Sequence, residues 1–196
     1  NINTYEEVSS GRKTGNGFIL ETSKGRYSCD HLVIATGYYG QPNQLNVPGE
    51  HKDKVFHYFK EAHPFFNQDV LVVGGKNSSV DAAIELEKAG SNVTVVYRQG
   101  AYSKSVKPWV LPQFDSLVKH DKIDMHFNTE VIDIKDDSVV LEKERETFEI
   151  PNDYLFAMIG YHPDYRLLKS FGVQLNENEY GVAPMHDRET METNVD

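Results

Sequence analysis

The stretch from Asp69 to Tyr97, DVLVVGGKNSSVDAAIELEKAGSNVTVVY, constrains the fold more than any other part of the 196-residue chain. Val70 to Val73 form a continuous apolar run, as a strand covered on both faces requires. Gly74 and Gly75 can make a tight turn, and the next segment places Val80, Ala83, Ile84 and Leu86 on one helical face until Gly90 stops it. Ser78 with Asp81 three residues on reads as a capping box, with a carboxylate at the helix's positive end. NVTVVY then returns as a β-branched strand. Strand, glycine turn, helix, strand is the order of a parallel βαβ unit, so the fold class is α/β.

Such a turn raises the question of a nucleotide. Aligned on G-x-G-x-x-G, the chain has Gly74, Lys76 and Ser79 at the three glycine places. Gly74 and Gly75 suit the tight turn, and Ser79 is small enough for close packing of helix on sheet. Lys76 is the departure: its Cβ crowds the backbone where a pyrophosphate approaches, while its ammonium can lie against phosphates. Backbone N–H groups of Gly74, Gly75, Asn77 and Ser78 are the expected phosphate donors. A Walker A reading fails because Asn77, not Ser or Thr, follows the lysine. The alternative is an ordinary β-turn-α connection without a ligand.

The end of the second strand selects the cofactor. An acidic residue there would hold the ribose hydroxyls of NAD, but the chain has Tyr97-Arg98. Arg98, with Lys104 and Lys107 in the same loop, offers positive charge to a 2′-phosphate and so favours NADPH. The competing reading is a solvated basic loop.

Residues 17 to 40 alternate apolar and polar around Lys24-Gly25, which predicts a hairpin, and then run into an apolar strand, Leu32 to Ala35. QPNQLNVPGE, residues 41 to 50, reads as a linker between domains. Residues 51 to 68 are aromatic-rich and irregular. Past the basic loop, the pattern predicts a helix over Pro112 to His120 and then a meander of three stretches, KIDMHFN, EVIDIKD and SVVLEKERETFEI, with Asp136-Asp137 as a turn. DYLFAMIGYHP repeats the logic of an apolar strand ending in glycine.

HLVIATGYYGQP resembles the strand ending in Ala-Thr-Gly by which two-domain flavoproteins of the thioredoxin-reductase type cross from the flavin domain into the NADPH domain. YLFAMIGYHPD is similar to the strand by which they cross back. KVFHYFKEAHPFF, GGKNSSVDAAIELEKAG, YRQGAYSKSVKPWVLPQF and FAMIGYHPDY look like the bacillithiol-disulfide reductase branch, where lysine at position 76 is usual. The resemblance implies a Rossmann-like, three-layer (ββα) NAD(P)-binding domain over residues 44–155. It is flanked by strands of a truncated FAD-binding domain over 1–43 and 156–196. It implies binding of NADPH by Gly74, Gly75, Lys76, Asn77, Ser78, Ser79, Arg98 and Lys104. Ala35, Thr36, Gly37, Ile159, Gly160 and Tyr161 are implied next to FAD, which this stretch of chain is not expected to retain. The implied activity passes hydride from NADPH to FAD and reduces a low-molecular-weight disulfide. It also implies a full-length homo-oligomer. No Cys-x-x-Cys precedes the glycine turn, so no catalytic residue is assigned within the chain, and direct thioredoxin reduction is not expected.

Two other functions fit the pattern less closely: a flavin monooxygenase, and a nucleotide-binding accessory module without turnover. With 30 acidic against 20 basic side chains and a net charge of −10, nucleic acid is an unsuitable partner. No apolar run approaches the ~20 residues of a spanning helix, and a single cysteine fits a reducing compartment, so a cytoplasmic location is expected. Cys29 is expected to be a buried structural thiol. His57 and His63 lack the spacing of a helical zinc pair, and no metal is expected. Tyr58, Phe59, Phe65 and Phe66 are read as packing before ligand stacking. Trp109 is placed over the cofactor cleft.

Overall fold

The computed structural model describes residues 2–178 and 181–195. In chain order it has strands β1 (Val8–Thr14), β2 (Gly17–Thr22), β3 (Arg26–Cys29), β4 (Val55–Phe56) and β5 (Asp69–Val73), then helix α1 (Asn77–Lys88) and β6 (Asn92–Tyr97). Helix α2 (Leu111–Lys119), β7 (Ile123–Phe127), β8 (Thr129–Ile134), β9 (Ser138–Lys143), β10 (Glu146–Pro151) and β11 (Tyr154–Ala157) follow. Helix α3 (Tyr165–Ser170) and the hairpin β12 (Leu175–Asn178) and β13 (Gly181–Pro184) come last. None of the helices among the described residues is long and apolar enough to cross a membrane.

The chain divides into two compact units, Pro42–Gly160 and Asn1–Gln41 with Tyr161–Asp196. The first extends past the expected end at 155 because β11 is hydrogen-bonded on both sides, to β4 and to β5.

In the Pro42–Gly160 unit, five strands form one parallel sheet in the order β4-β11-β5-β6-β7. Period-two alternation gives the central strands β5, β6 and β11 two covered faces. Val70, Val72, Val93 and Val95 pack with Val80, Ala83, Ile84 and Leu86 of α1 and Phe114 of α2. Leu71, Val73, Val96, Leu155 and Ala157 pack with Val131, Ile134, Val139 and Leu141 of a second, antiparallel sheet, β10-β9-β8. The result is a helix layer, a parallel sheet and an antiparallel sheet, the three-layer α/β arrangement expected. Each buried Val, Leu, Ile or Phe side chain among these contributes about 1.5–3 kcal/mol. Phe59 and Phe65 pack edge-on against Phe156, as expected of core aromatics, whereas Phe66 stays 67% exposed.

Ile123–Phe127, read as the first meander strand, pairs parallel with β6 instead, since α2 supplies the crossover that an added parallel strand needs. The meander is β8-β9-β10, with SVVLEKERETFEI split by a turn at Glu144 and Arg145, both at positive φ.

In the other unit, β1-β2-β3 form an antiparallel sheet with the expected turn at Lys24-Gly25, and β1 joins as an extra strand. Leu32–Ala35 is not a strand: the segment lies outside every sheet and Val33 is 88% exposed. A run apolar on both faces needs paired strands on both sides, and among the described residues none pairs with it. Cys29, expected to be buried, ends β3 half-buried, because β3 is the edge of a sheet with exposed side chains before it.

Candidate functional site

The strand order fixes where a ligand can approach. From β5 the chain passes through α1 to β6 on one side, while β11 lies on the other. The carboxyl end of β5 is therefore a topological switch point, where open α/β sheets form their crevice. Gly74 sits there. Its φ of +139° is disfavoured for any side chain, and a Cβ would meet the Met158 carbonyl oxygen at 2.5 Å and Ser79 Cβ at 3.1 Å. The Gly74 N–H donates to the Val96 carbonyl (3.0 Å), and the Met158 N–H to the Val73 carbonyl (2.8 Å). The turn is thus pinned to both neighbouring strands. Gly75 is required for another reason, since its Cβ would fall 2.3 Å from the Tyr97 ring.

The cap differs from the expectation. Lys76 is extended and precedes the helix, and its N–H donates to Ser79 Oγ (3.0 Å), whose hydroxyl donates to the Lys76 carbonyl (2.8 Å). Ser78 and Asp81 do not cap, because the helix begins at Asn77, placing Ser79 at its third position. Asp81 instead pairs with Lys107 at 3.2 Å. Gly74 and Lys76 have therefore committed their N–H groups within the chain, which corrects the expected role of the Gly74 N–H as a phosphate donor. The amides of Asn77 and Ser78 lie in the first helical turn, where no intrahelical acceptor exists. They face the positive end of the helix dipole, an arrangement suited to an anion. The Lys76 side chain is exposed.

Arg98 directly follows β6 and is exposed, as is Lys104. Neither forms an ion pair among the described residues. Lys107, counted with them in the sequence, is partly neutralised by Asp81. The loop between β6 and α2 is anchored by Tyr102, whose ring packs edge-on to Phe114 and Phe127, and by buried Val106. Burial, then the Asp115 carboxylate, push the Tyr102 phenol above its ordinary pKa. Asn77 ties this loop to the turn, donating through Nδ2 to the Ser105 carbonyl (2.8 Å) and accepting the Lys107 N–H at Oδ1 (2.9 Å). Trp109 is 76% exposed.

The structure thus brings Gly74 to Ser79 and the Arg98–Lys107 loop together. The remaining expected residues lie elsewhere. Ile159 and Gly160 follow β11, where Asn43 Nδ2 donates to the Ile159 carbonyl (3.2 Å) and the Asn43 N–H to the Gly160 carbonyl (3.0 Å). Ala35, Thr36, Gly37 and Tyr161 belong to the other unit. There Gly37 has φ +64° and Tyr161 packs on Tyr39 with ring centroids 4.5 Å apart.

Sequence reasoning missed Met158, Tyr97 and the Asn77 side chain as the parts that shape the turn. The adjacent glycines signalled a close approach, but nothing local named what approaches. An open concavity lined by His51, Lys52, Asp53, Lys54 and Asp136 is at the wrong edge for this chemistry. Its walls precede β4 and join the β8–β9 turn, near Asn152 and Asp153, which lead into β11 at the amino ends of the strands. Among the described residues no group of three or more His, Cys, Asp or Glu is placed to hold a metal ion.

A parallel sheet with a glycine turn at its switch point, a helix amino terminus beside it and exposed cations after the next strand defines the Rossmann-like class of NAD(P)-binding domains. The chain belongs to the pyridine nucleotide-disulphide oxidoreductase family, whose model matches residues 1–196. It is 53% identical over 182 residues to bacilliredoxin reductase Bdr of Bacillus subtilis (strain 168), covering 92% of this chain and 56% of that protein. The structure of bacillithiol disulfide reductase Bdr from Staphylococcus aureus matches with a TM-score of 0.97 and 60% identity, over 98% of this chain and 60% of that one. Thioredoxin reductase from T. acidophilum matches with a TM-score of 0.80 and 26% identity, over 97% of this chain and 62% of that one. The chain thus spans between half and two thirds of the length of these relatives.

Proposed function

We propose that this chain is the NADPH-binding part of a flavin-dependent oxidoreductase that reduces a low-molecular-weight disulfide, bacillithiol disulfide. The observation that carries the reading is Gly74: a backbone with no room for a Cβ, at the switch point, opening a helix and followed one strand later by exposed Arg98. The disulfide comes from the name of the similar structure from Staphylococcus aureus.

The residues fit a dinucleotide. The amides of Asn77 and Ser78 and the helix end would hold the pyrophosphate, the Lys76 ammonium would add charge, and Arg98 with Lys104 would recognise the 2′-phosphate. Bound FAD would supply the two-electron chemistry between nicotinamide and disulfide. The protein's part is to position the dinucleotide. Overall, NADPH, a proton and the disulfide give NADP⁺ and two thiols. We place the full-length protein in the cytoplasm as a homo-oligomer.

The test is anaerobic turnover of the full-length protein, following flavin absorbance with NADPH and then with bacillithiol disulfide. Bleaching by NADPH and recovery on adding the disulfide, with free thiol appearing, is the expected result. Recovery by oxygen alone would overturn the acceptor and favour a monooxygenase, and NADPH binding without bleaching would leave only an accessory role. Arg98→Ala should weaken NADPH by about 10- to 100-fold, the size of a charge-assisted hydrogen bond, and NADH far less.

A further inference from the structure

We propose that Asn77 is a positioning residue that sets the selectivity for the 2′-phosphate by locking the cationic loop onto the glycine turn. The inference rests on the reading of Arg98 and Lys104 given above and assigns what holds them in place.

Asparagine is a poor choice for the first helical position on propensity alone, because its side chain competes for backbone partners. Here that competition is put to use. The carboxamide donates to the Ser105 carbonyl (2.8 Å) and accepts the Lys107 N–H (2.9 Å), so one side chain satisfies the two inward-facing groups of residues two apart, as a neighbouring strand would. The contacts bridge 28 and 30 residues of sequence. The other anchors act elsewhere: the Tyr102 ring holds the loop to Phe114 and Phe127, and Val106 is buried in the layer between helices and sheet. Both fix the loop to the body of the unit. Val106 also meets the apolar face of α1, while the Asn77 carboxamide and the Lys107–Asp81 ion pair are the polar links to α1 among the described residues, and that pair is more than 40% exposed on both sides, where ion pairs contribute little.

Lys104 is the exposed apex of the segment that Asn77 grips. It lies between Ser103 and Ser105, whose hydroxyls bond each other at 2.8 Å, and the Ser105 N–H donates to Ser103 Oγ (3.3 Å). The apex is therefore a preformed turn, and its register against the helix amino terminus is set by the carboxamide. Loss of the carboxamide leaves Lys104 charged but no longer fixed relative to the pyrophosphate-binding turn. Ordering the loop then becomes a cost of binding a ligand that reaches it, and not of one that does not.

The experiment compares wild type, Asn77→Ala and Asn77→Asp in the full-length protein, measuring amide hydrogen exchange over residues 103–107 and equilibrium affinities for NADPH and NADH. Asn77→Ala should speed exchange of the Lys107 amide, and lower NADPH affinity about tenfold more than NADH affinity, the equivalent of a hydrogen bond or two. Asn77→Asp keeps the acceptor for Lys107 and loses the donor to Ser105, so the Lys107 amide should stay protected while the NADPH preference falls. Unchanged loop exchange in Asn77→Ala would overturn the lock. Faster exchange with equal loss of both nucleotides would overturn the selectivity role. A wild-type protein without preference for NADPH would instead sink the underlying reading of Arg98 and Lys104, a result separable from the other two. Should Asn77→Ala not fold, Asn77→Asp decides alone: an NADPH preference equal to wild type refutes the proposal.

Discussion

One methyl group at Gly74 tests whether the turn is as closely packed as the geometry requires. Gly74→Ala places a Cβ 2.5 Å from the Met158 carbonyl oxygen, and reaching ordinary contact at 3.4 Å means about 0.9 Å of separation. The movement has to come from backbone, because the Met158 N–H is bonded to the Val73 carbonyl at 2.8 Å and β11 pairs residue by residue with β5. Overpacking of this kind costs about 1–3 kcal/mol. The φ of +139° adds a separate penalty for alanine of about 1–3 kcal/mol, giving roughly 2–6 kcal/mol together. Gly75→Ala is the internal control. The three atoms nearest its Cβ all belong to the half-buried Tyr97 ring and it has no positive φ, so its main cost is moving that ring, about 1–3 kcal/mol. Thermal unfolding of the full-length protein should show a loss of at least about 5 °C for Gly74→Ala and a smaller loss for Gly75→Ala. Hydrogen exchange at the Val73 and Met158 amides should rise in the first and not in the second. A Gly74→Ala protein that melts within about 2 °C of wild type would refute the packing argument. So would a Gly75→Ala protein that is the worse of the two.

Lys54 donates to the carbonyls of Asp136 (3.1 Å), Ser138 (3.4 Å) and Asn152 (2.9 Å), and burial, against the pull of nearby aspartates, holds its ammonium below the ordinary pKa of 10.5. Between that lowered midpoint and 10.5 the unfolded chain keeps a proton the folded chain has lost, so stability should rise with pH there, and urea unfolding should show this slope vanish in Lys54→Met. Glu149 accepts from Lys135 (2.6 Å) and from Ser138 (2.6 Å), which hold its carboxyl below 4.5. Its contribution is present above pH 4.5 and lost as pH falls through the lowered midpoint, and carbon-13 NMR should find that midpoint moved upward in Lys135→Ala.

The parts of the fold legible in the sequence are those where local pattern and burial agree. β5, α1 and β6 announce themselves because an apolar run, a 3.6-residue period and a β-branched run each have one interpretation beside a Gly-Gly turn. Alternation in KIDMHFN predicts a strand correctly but not its partner: an antiparallel meander strand and the edge of a parallel sheet show the same half-buried period. β1, VSSGRKT, carries little apolar signal because its exposed edge needs none. Leu32–Ala35 reads as a buried strand because its composition suits one, yet hydrogen-bonded neighbours make a strand, and composition cannot supply them.

The site follows the same division. Its glycines were legible because a backbone requirement is written in the residue that meets it. The cap was misplaced by two residues, from Ser78 to Lys76, with Ser79 in place of Asp81 as the side chain that reaches back, because both serines can bond an amide and only the extended backbone at Lys76 decides which one does. The Asn77 grip was not legible at all, since its partners are main-chain atoms that any residues at 105 and 107 would provide. This has a consequence for Lys76, the departure from the glycine pattern. Gly74 needs glycine because Met158 lies behind it, and Gly75 because Tyr97 does, whereas Lys76 is extended, at φ −111°, with its side chain exposed. Nothing in the protein itself demands glycine at position 76. The second glycine of the pattern answers to the approach of a ligand, and a lysine there answers to the same ligand with charge in place of room. Lys76→Gly should therefore leave thermal stability within about 1 kcal/mol of wild type, the cost of glycine beside a helix start. The same substitution should change the salt dependence of NADPH binding, flattening it as one cation is removed. A large loss of stability would show that the lysine is held by the fold, and an unchanged salt dependence would show that its charge never meets the dinucleotide.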